Sequence, residues 1–266
     1  MNSTYMDQHV TVWSKERICD EGHCLVGEEP LAIRIQDSPL YSTMRTPGDE
    51  SAHAAGFCLS QGLVEQADDI AAIDVDDSEP VNTVNVVLHE SIQERMAGLF
   101  KTSRSETGPD RIDSSCLMDE LCRCVPPAVN GNALDINHVF DCIDSLADHQ
   151  DLRRLTRASH AAAIFGSDYG LKAVSEDVGR HNALDKSIGK LFLSGRLSEA
   201  AFLVLSSRIS FELVQKAARA RIPVIVSVSR PTALAVRLGS RLNMTLACMA
   251  KGTGLYVFCG RQRLLK

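Results

Sequence analysis

No stretch of this 266-residue chain offers the ~18 consecutive apolar residues that a membrane-spanning helix needs. The opening segment, MNSTYMDQHV, likewise holds no apolar run of signal-peptide length. Both absences lead us to expect a cytoplasmic protein with no membrane partner. Positive charge is also scarce: 28 Lys and Arg stand against 34 Asp and Glu, a net charge of −6. That argues against broad nucleic-acid binding and leaves room only for a local basic pocket. GxGxxG and Walker patterns are missing, so neither common phosphate loop applies.

Cysteine is plentiful by contrast. Nine are scattered at positions 19, 24, 58, 116, 122, 124, 142, 248 and 259. An odd number in a reducing compartment disfavours a disulfide framework, and most are expected as small buried hydrophobes. Three fall within SSCLMDELCRC, Ser114 to Cys124, which reads as a disulfide, a metal clip or a sulfur nucleophile. Zinc is poorly supported: Cys116, Cys122 and Cys124 lack a second paired cluster or a nearby His at finger spacing. No permanently bound metal is expected.

With 44% apolar residues the chain can bury a full core. Its texture changes along the way. Short β-prone runs between polar turns mark Thr11 to Ile35 and VNTVNVVL (Val81 to Leu88). One helix interrupts them at TPGDESAHAAGFCLSQGLV, with Thr46 as N-cap, Pro47 as first helical residue, and Ala52, Ala55, Leu59 and Leu63 facing inward. Residues 101 to 115 read as an exposed polar loop leading to the cysteines. After a helix expected at Asp135 to His149, strand-like and helix-like runs alternate: LKAV, the helix after Asn182, AFLVLSS, FELVQKAARA, IPVIVSVS, PTALAVRLGSRL, TLACMA and GLYVFC. That order predicts an α/β fold with a mainly parallel central sheet. We place a smaller β-rich N-terminal domain at 1–130, ending in the cysteine loop, and an α/β C-terminal domain at 131–266.

Two turns of the second half share a design. AFLVL runs into Ser206, Ser207 and Arg208, and PVIVSV into Ser229, Arg230, Pro231 and Thr232. Hydroxyls, free backbone N–H groups and an Arg at a strand-to-helix junction suit an anion, with a phosphate-bearing ligand the natural guess. Simple N-capping by the same serines explains them about equally well. A denser constellation, EDVGRHNALDK, concentrates Asp177, Arg180, His181, Asn182, Asp185 and Lys186 beside Gly179. Any one of these suits an ordinary capped helix start with surface ion pairs; their density does not.

EEPLAIRI-like residues from Glu28 on, MRTPGDESAHAAGFCLSQGLV, EDVGRHNALDKSIG, SSRISFELVQKAARARIPVIVSVSRPTALAVRLG and GLYVFCGRQRLL closely resemble the formate dehydrogenase accessory sulfurtransferases, the FdhD family. The likeness covers roughly 28 to 266. It implies a cytoplasmic maturation factor that accepts persulfide sulfur from a cysteine desulfurase. The sulfur would pass to the molybdenum or tungsten bis(molybdopterin guanine dinucleotide) cofactor of formate dehydrogenase. It also implies a cytidine-deaminase-like layered C-terminal domain, a homodimer, and a cofactor-contacting tail matching Phe258, Cys259, Gly260, Arg261, Gln262 and Arg263. On this reading Asp177, Arg180, His181, Asn182, Ser206, Ser207, Arg208 and Ser229 hold the guanine nucleotide arm.

Members of the family carry SC-G-x-C-G. Here the first cysteine falls on Cys116, but Asp119 holds the second position. Cys116 is therefore expected as the catalytic persulfide carrier, because one accessible thiolate suffices to hold terminal sulfur. Cys122 or Cys124 would serve as a displaced second thiol, if one is used. His160 matches the family's Thr-Gly-Gly-x-His segment, with Arg157 and Ala158 in place of the glycines, and is a weak ligand candidate. Deaminase chemistry is disfavoured, since Ala162 stands where H-x-E needs Glu and no PCxxC follows. The rival reading is a cofactor-binding insertion chaperone that transfers no sulfur.

Overall fold

The β-prone runs of the first part become strands in the computed structural model, which describes residues 4–76, 82–92, 114–129, 133–250 and 254–266. Strands β1 (Tyr5–Trp13) and β2 (Ile18–Val26) form a separate antiparallel ribbon. Strands β3 (Glu29–Ile35), β4 (Ser38–Arg45), β5 (Ile70–Asp76) and β6 (Asn82–Leu88) form a sheet in the order β4-β3-β6-β5. Alternation puts Leu31 and Ile33 of β3 and Val84 and Val86 of β6 on one face. All four are fully buried, in one cluster with Ala54, Ala55 and Leu59 of helix α1 (Glu50–Gln61).

Helix α1 begins later than its sequence suggests. Asp49, in the left-handed conformation at φ 60°, occupies the cap position without a side-chain cap bond. Thr46 is engaged elsewhere: its N–H donates to Asp177 Oδ2 (3.1 Å) and its hydroxyl accepts from the Val178 N–H (3.0 Å). A long-range demand overrides the local capping preference.

The chain then passes through α2 (Ser114–Cys124), β7 (Leu134–Asp135), α3 (Ile136–Ser145) and α4 (Asp151–Thr156). Asp135 caps α3 by accepting from the Asn137 N–H (2.8 Å), close to the expected start. The six-stranded sheet that follows contains β8 (His160–Phe165), β9 (Leu171–Asp177), β10 (Phe202–Leu205), β11 (Val224–Ser227), β12 (Thr245–Met249) and β13 (Leu255–Cys259). Its order is β13-β12-β11-β10-β8-β9. Strands β9, β10, β11 and β12 point the same way, but β8 and β13 run against them and only the β10–β11 and β11–β12 pairings are parallel, so the expected mainly parallel sheet is corrected to a mixed one. The cause is connection type. Helices α6 (Phe211–Arg219) and α7 (Ala233–Arg241) supply crossovers around β11, whereas β8 turns straight into β9 through a Gly166 N–H to Gly170 O bond (3.0 Å). A short β14 (Leu264–Leu265) pairs with β7.

Helix α5 (Arg180–Leu193) lies against α1 backbone to backbone. A Cβ on Gly189 would overlap the Ala52 carbonyl, and one on Gly56 the Asp185 carbonyl, so both glycines are required by close approach. The core on this side runs without a break from Leu31 and Val84 through α1 and α5 to Leu203, Ile225 and Leu246. On the sheet's other face Val139 and Ile143 of α3 pack with Phe165, Phe202 and Val226. Among the described residues no helix is long and apolar enough to cross a membrane.

Charges are buried where α1, α5 and α6 meet. Lys186 pairs with Asp177 (2.7 Å), Lys216 with Asp185 (2.7 Å), and Arg45 with Glu50 (3.0 Å). His53 lies fully buried among them; burial, then the nearby Lys186, Lys216 and Arg45 cations, pushes its pKa well below 6.5. The unfolded chain therefore binds a proton that the folded one refuses. The stability this group contributes is fullest above pH 6.5 and is lost progressively as pH falls from 7 to 5.5. Urea midpoints measured at the two pH values should show that loss, and His53→Gln should flatten its share of the slope.

Candidate functional site

Three helices start where strands end. Gly179 caps α5 behind β9, Ser210 caps α6 behind β10, and Thr232 caps α7 behind β11. The two turns flagged in the sequence are tied together: Thr232 N–H donates to Ile209 O (2.9 Å), Val228 N–H to Leu205 O (3.0 Å), and the Ser227 hydroxyl to Ser207 O. His181 Nε2 reaches the Ser210 hydroxyl at 3.2 Å and joins α5 to the same place. On the other side, register pairs His160 of β8 with Asp177, and the Ala161 N–H donates to the Ser206 hydroxyl (2.8 Å). Three positive helix ends thus meet at the carboxyl ends of β9, β10 and β11, the edge at which an open α/β sheet forms its ligand crevice, and their dipoles favour an anion.

The predicted residues divide by what they already hold. Asp177 is fully buried and both its oxygens are engaged: Oδ2 by Lys186 Nζ and the Thr46 N–H, Oδ1 by the Gly179 N–H (2.8 Å) and Asn182 Nδ2 (3.0 Å). Asn182 also donates to Met44 O (2.8 Å). Both act as internal supports of the α5 start. Ser207 is buried and its hydroxyl donates to Arg208 O (3.1 Å). The Ser229 N–H donates to the Ser227 hydroxyl (3.0 Å), and Arg230 lies 5.3 Å from the centre of the Tyr256 ring. Thr232 is an ordinary cap, its hydroxyl accepting from the Ala235 N–H (3.2 Å).

Unspent donors remain on Arg180, His160 and Arg208. Arg180 Nε and His160 Nδ1 are buried without a hydrogen-bond partner, and Arg208 is exposed. Burial lowers the pKa of His160 and of His181, helped in each case by the Arg180 charge. Both shifts favour the neutral ring, which can donate from one nitrogen. His160, held only as a weak candidate from sequence, is therefore among the best placed. A sequence signal existed: an isolated His entering an apolar strand beside the EDVGRHN segment.

The tail does not join this crevice within the chain. Strand β13 pairs antiparallel with β12, Leu255 opposite Met249 and Cys259 opposite Leu246, so it carries the chain back to the far end of the sheet. Phe258 is 39% exposed there, and burial raises the Cys259 thiol pKa. Gly260 adopts φ 70° beneath Met244, and Gln262 donates to Asn243 Oδ1 (3.2 Å). Arg261 is exposed, but Arg263 is 2% exposed and donates to the Thr245 hydroxyl (3.4 Å) and the Ala128 and Val129 carbonyls (3.3 Å each). Within one chain, Phe258 to Arg263, the tail that the resemblance implies contacts the cofactor, thus lies at the opposite end of the sheet from the three helix starts.

The cysteine segment is a helix, not the loop expected. Cys116 lies in the first turn of α2; its side chain is outside the described residues, as are residues 93–113. Met118, Leu121 and Val125 bury one face of the segment at helical spacing. Positions 119, 120 and 123 share the opposite face with position 116, and all three are exposed. Asp119, at the missing second cysteine, pairs with Arg241 of α7 at 2.6 Å. Cys122 is half-buried and Cys124 exposed. Among the described residues no group of three or more His, Cys, Asp or Glu is placed to hold a metal ion.

Known proteins resemble this chain. A protein named sulfur carrier protein FdhD from Streptomyces avermitilis is 37% identical, over 90% of this chain and 88% of its own length. Proteins of the same name from Bordetella parapertussis and Mycobacterium tuberculosis are 34% and 32% identical, over 89% and 94% of this chain and 86% and 95% of theirs. The crystal structure of a proposed formate dehydrogenase accessory protein from Desulfotalea psychrophila matches 99% of this chain and 100% of its own, with a TM-score of 0.79; at 24% identity that is a likeness of fold. The model of the FdhD/NarQ family matches residues 26–265, everything described above except the β1–β2 ribbon, and the chain belongs to that family.

Proposed function

We propose that this chain is a cytoplasmic, homodimeric sulfur carrier of formate dehydrogenase maturation. It would take persulfide sulfur from a cysteine desulfurase on Cys116 and pass it to the molybdenum or tungsten bis(molybdopterin guanine dinucleotide) of the dehydrogenase. The observation that carries this reading is the crevice of three helix starts with unpartnered Arg180 Nε and His160 Nδ1, on a chain whose relatives are named sulfur carriers.

In the loading step the Cys116 thiolate attacks the outer sulfur of the donor's persulfide. A Cys116 S–S bond forms, the donor S–S bond breaks, and the donor leaves as a thiolate. Delivery as sulfide then consumes two electrons from an external thiol reductant. The cofactor is substrate here, and its pyrophosphate is the anion that the crevice suits. Arg180, Arg208 and His160 would donate to it, with Ser206 and the Ser229 turn at its edge and His181 fixing the start of α6. Asp177 and Asn182 would hold α5 in place rather than touch the ligand.

The pairing of Asp119 with Arg241 supports a second reading, an insertion chaperone that binds the cofactor without moving sulfur, because the second thiol's place is taken by a structural ion pair. Calorimetry with GDP as surrogate tests the site common to both. Losing a charge-assisted phosphate contact costs ~1.5 to 3 kcal/mol, or roughly 10 to 150-fold in affinity. Arg180→Ala and Arg208→Ala should each weaken GDP by that order and Cys116→Ala should not. Absent GDP binding, or unchanged affinity in both arginine variants, moves the nucleotide elsewhere.

A further inference from the structure

A cavity of about 490 Å³ opens at the C-terminal end of α2, at the opposite end of the strands from the anion crevice. Cys124 lines it, together with Glu65, Arg219 and Arg221, and its walls are otherwise apolar, with Leu59 and Met244 among them. Size, apolar walls and a few polar groups are the ordinary makings of a small-molecule site. The polar groups are specific. Arg219 lies against Gly62, where an added Cβ would meet the guanidinium at 2.7 Å. Its Nε is closed off from solvent, so a ligand in the cavity would meet the terminal nitrogens of the guanidinium. Arg221 beside it is exposed and adds a second fork for a carboxylate.

We infer that this cavity is a second sulfur-loading site, in which Cys124 takes sulfur from a small hydropersulfide that bears carboxylates. The inference deepens the sulfur-carrier reading and rests on it. The Cys124 thiolate attacks the terminal sulfur of the small hydropersulfide RSSH; the new S–S bond forms at Cys124 as the RS–SH bond breaks. RS⁻ departs and takes up the proton that Cys124 released, so sulfur moves with no net oxidation. Arg219 and Arg221 hold the carboxylates and Glu65 faces an amino group. A protein-bound persulfide is too large for this cavity, so desulfurase loading belongs to Cys116. The two thiols are also separate: positions 116 and 124 lie ~12 Å apart along an intact helix and ~80° around it.

The test uses the full chain and two probes, glutathione hydropersulfide, with two carboxylates, and mercaptoethanol hydropersulfide, with none. Peptide mapping should find a one-sulfur adduct on Cys124, forming about tenfold or more faster with the glutathione probe, the scale of one charge-assisted contact. Arg221→Ala, at an exposed position, should erase most of that preference while the protein stays folded. Loading of Cys116 by desulfurase should be unchanged in Cys124→Ser. No adduct on Cys124, equal rates for both probes, or an unchanged preference in Arg221→Ala overturns the inference. If Cys116 also fails to load from the desulfurase, the carrier reading fails with it; if Cys116 loads normally, only the second site is lost.

Discussion

Cys116→Ala is expected to abolish the one-sulfur adduct that a cysteine desulfurase and cysteine place at that position, and to leave formate dehydrogenase unactivated. Peptide mapping reports the first and dehydrogenase activity the second. The expectation follows from where the other thiols are. Cys58, Cys142 and Cys248 are buried, and burial, their largest influence, raises the pKa of each thiol, to about 12 for Cys58 and about 11 for Cys142; none is a ready thiolate. Cys122 and Cys124 lie on the same helix as Cys116, but ~9 and ~12 Å along its axis, too far for a thiolate to reach a persulfide while α2 is folded. Transfer from Cys116 is therefore resolved by the acceptor or by an external thiol. The Cys122→Ser, Cys124→Ser double variant should accordingly activate the dehydrogenase as well as the native protein. Full activation by Cys116→Ala would remove the assignment, and a collapse of activity in the double variant would mean that α2 unwinds to pass sulfur along.

The sequence and the fold agree where periodicity is strong and local. Val, Ile and Leu at alternate positions reveal β3 and β6, and the strand-helix order from Phe202 to Cys259 is read nearly to the residue. Disagreements arise where a distant partner decides. HAAAIF (His160–Phe165) is a central strand, yet three alanines give it no β-propensity, and missing it made the sheet look parallel. Thr46 looks like a cap until Asp177, far along the chain, claims it. The EDVGRHNALDK run is dense in charge, but a single sequence does not tell a charge that binds a ligand from one that holds two helices together. Asp177, Asp185 and Lys186 turn inward; Arg180 and His181 stay near the crevice. Helix α2 is legible in Met118, Leu121 and Val125, whose helical spacing marks its buried face.

Asp177→Ala should destabilise the protein by ~3 to 5 kcal/mol, because it strips the partner from a buried charge. Lys186 is 1% exposed, and without Asp177 its ammonium keeps only the Thr46 carbonyl at 2.7 Å. The Thr46 and Gly179 N–H groups and Asn182 Nδ2 lose their acceptor at the same time. Replacing both members of the pair, Asp177→Asn with Lys186→Met, removes the stranded charge and should recover a substantial part of the loss, since a neutral pair need not be desolvated as ions. Denaturant midpoints of the single and double variants decide the matter: a single-variant loss below ~1 kcal/mol, in the range of surface pairs, would mean that water reaches Lys186. The same aspartate holds the α5 start, and with it Arg180 and His181, against the strand that leads into the crevice. GDP affinity should therefore fall in Asp177→Ala even under conditions where the variant remains folded, and return in part with the neutral double variant. A direct ligand contact by Asp177 would give no such recovery, which separates a supporting role from a binding one.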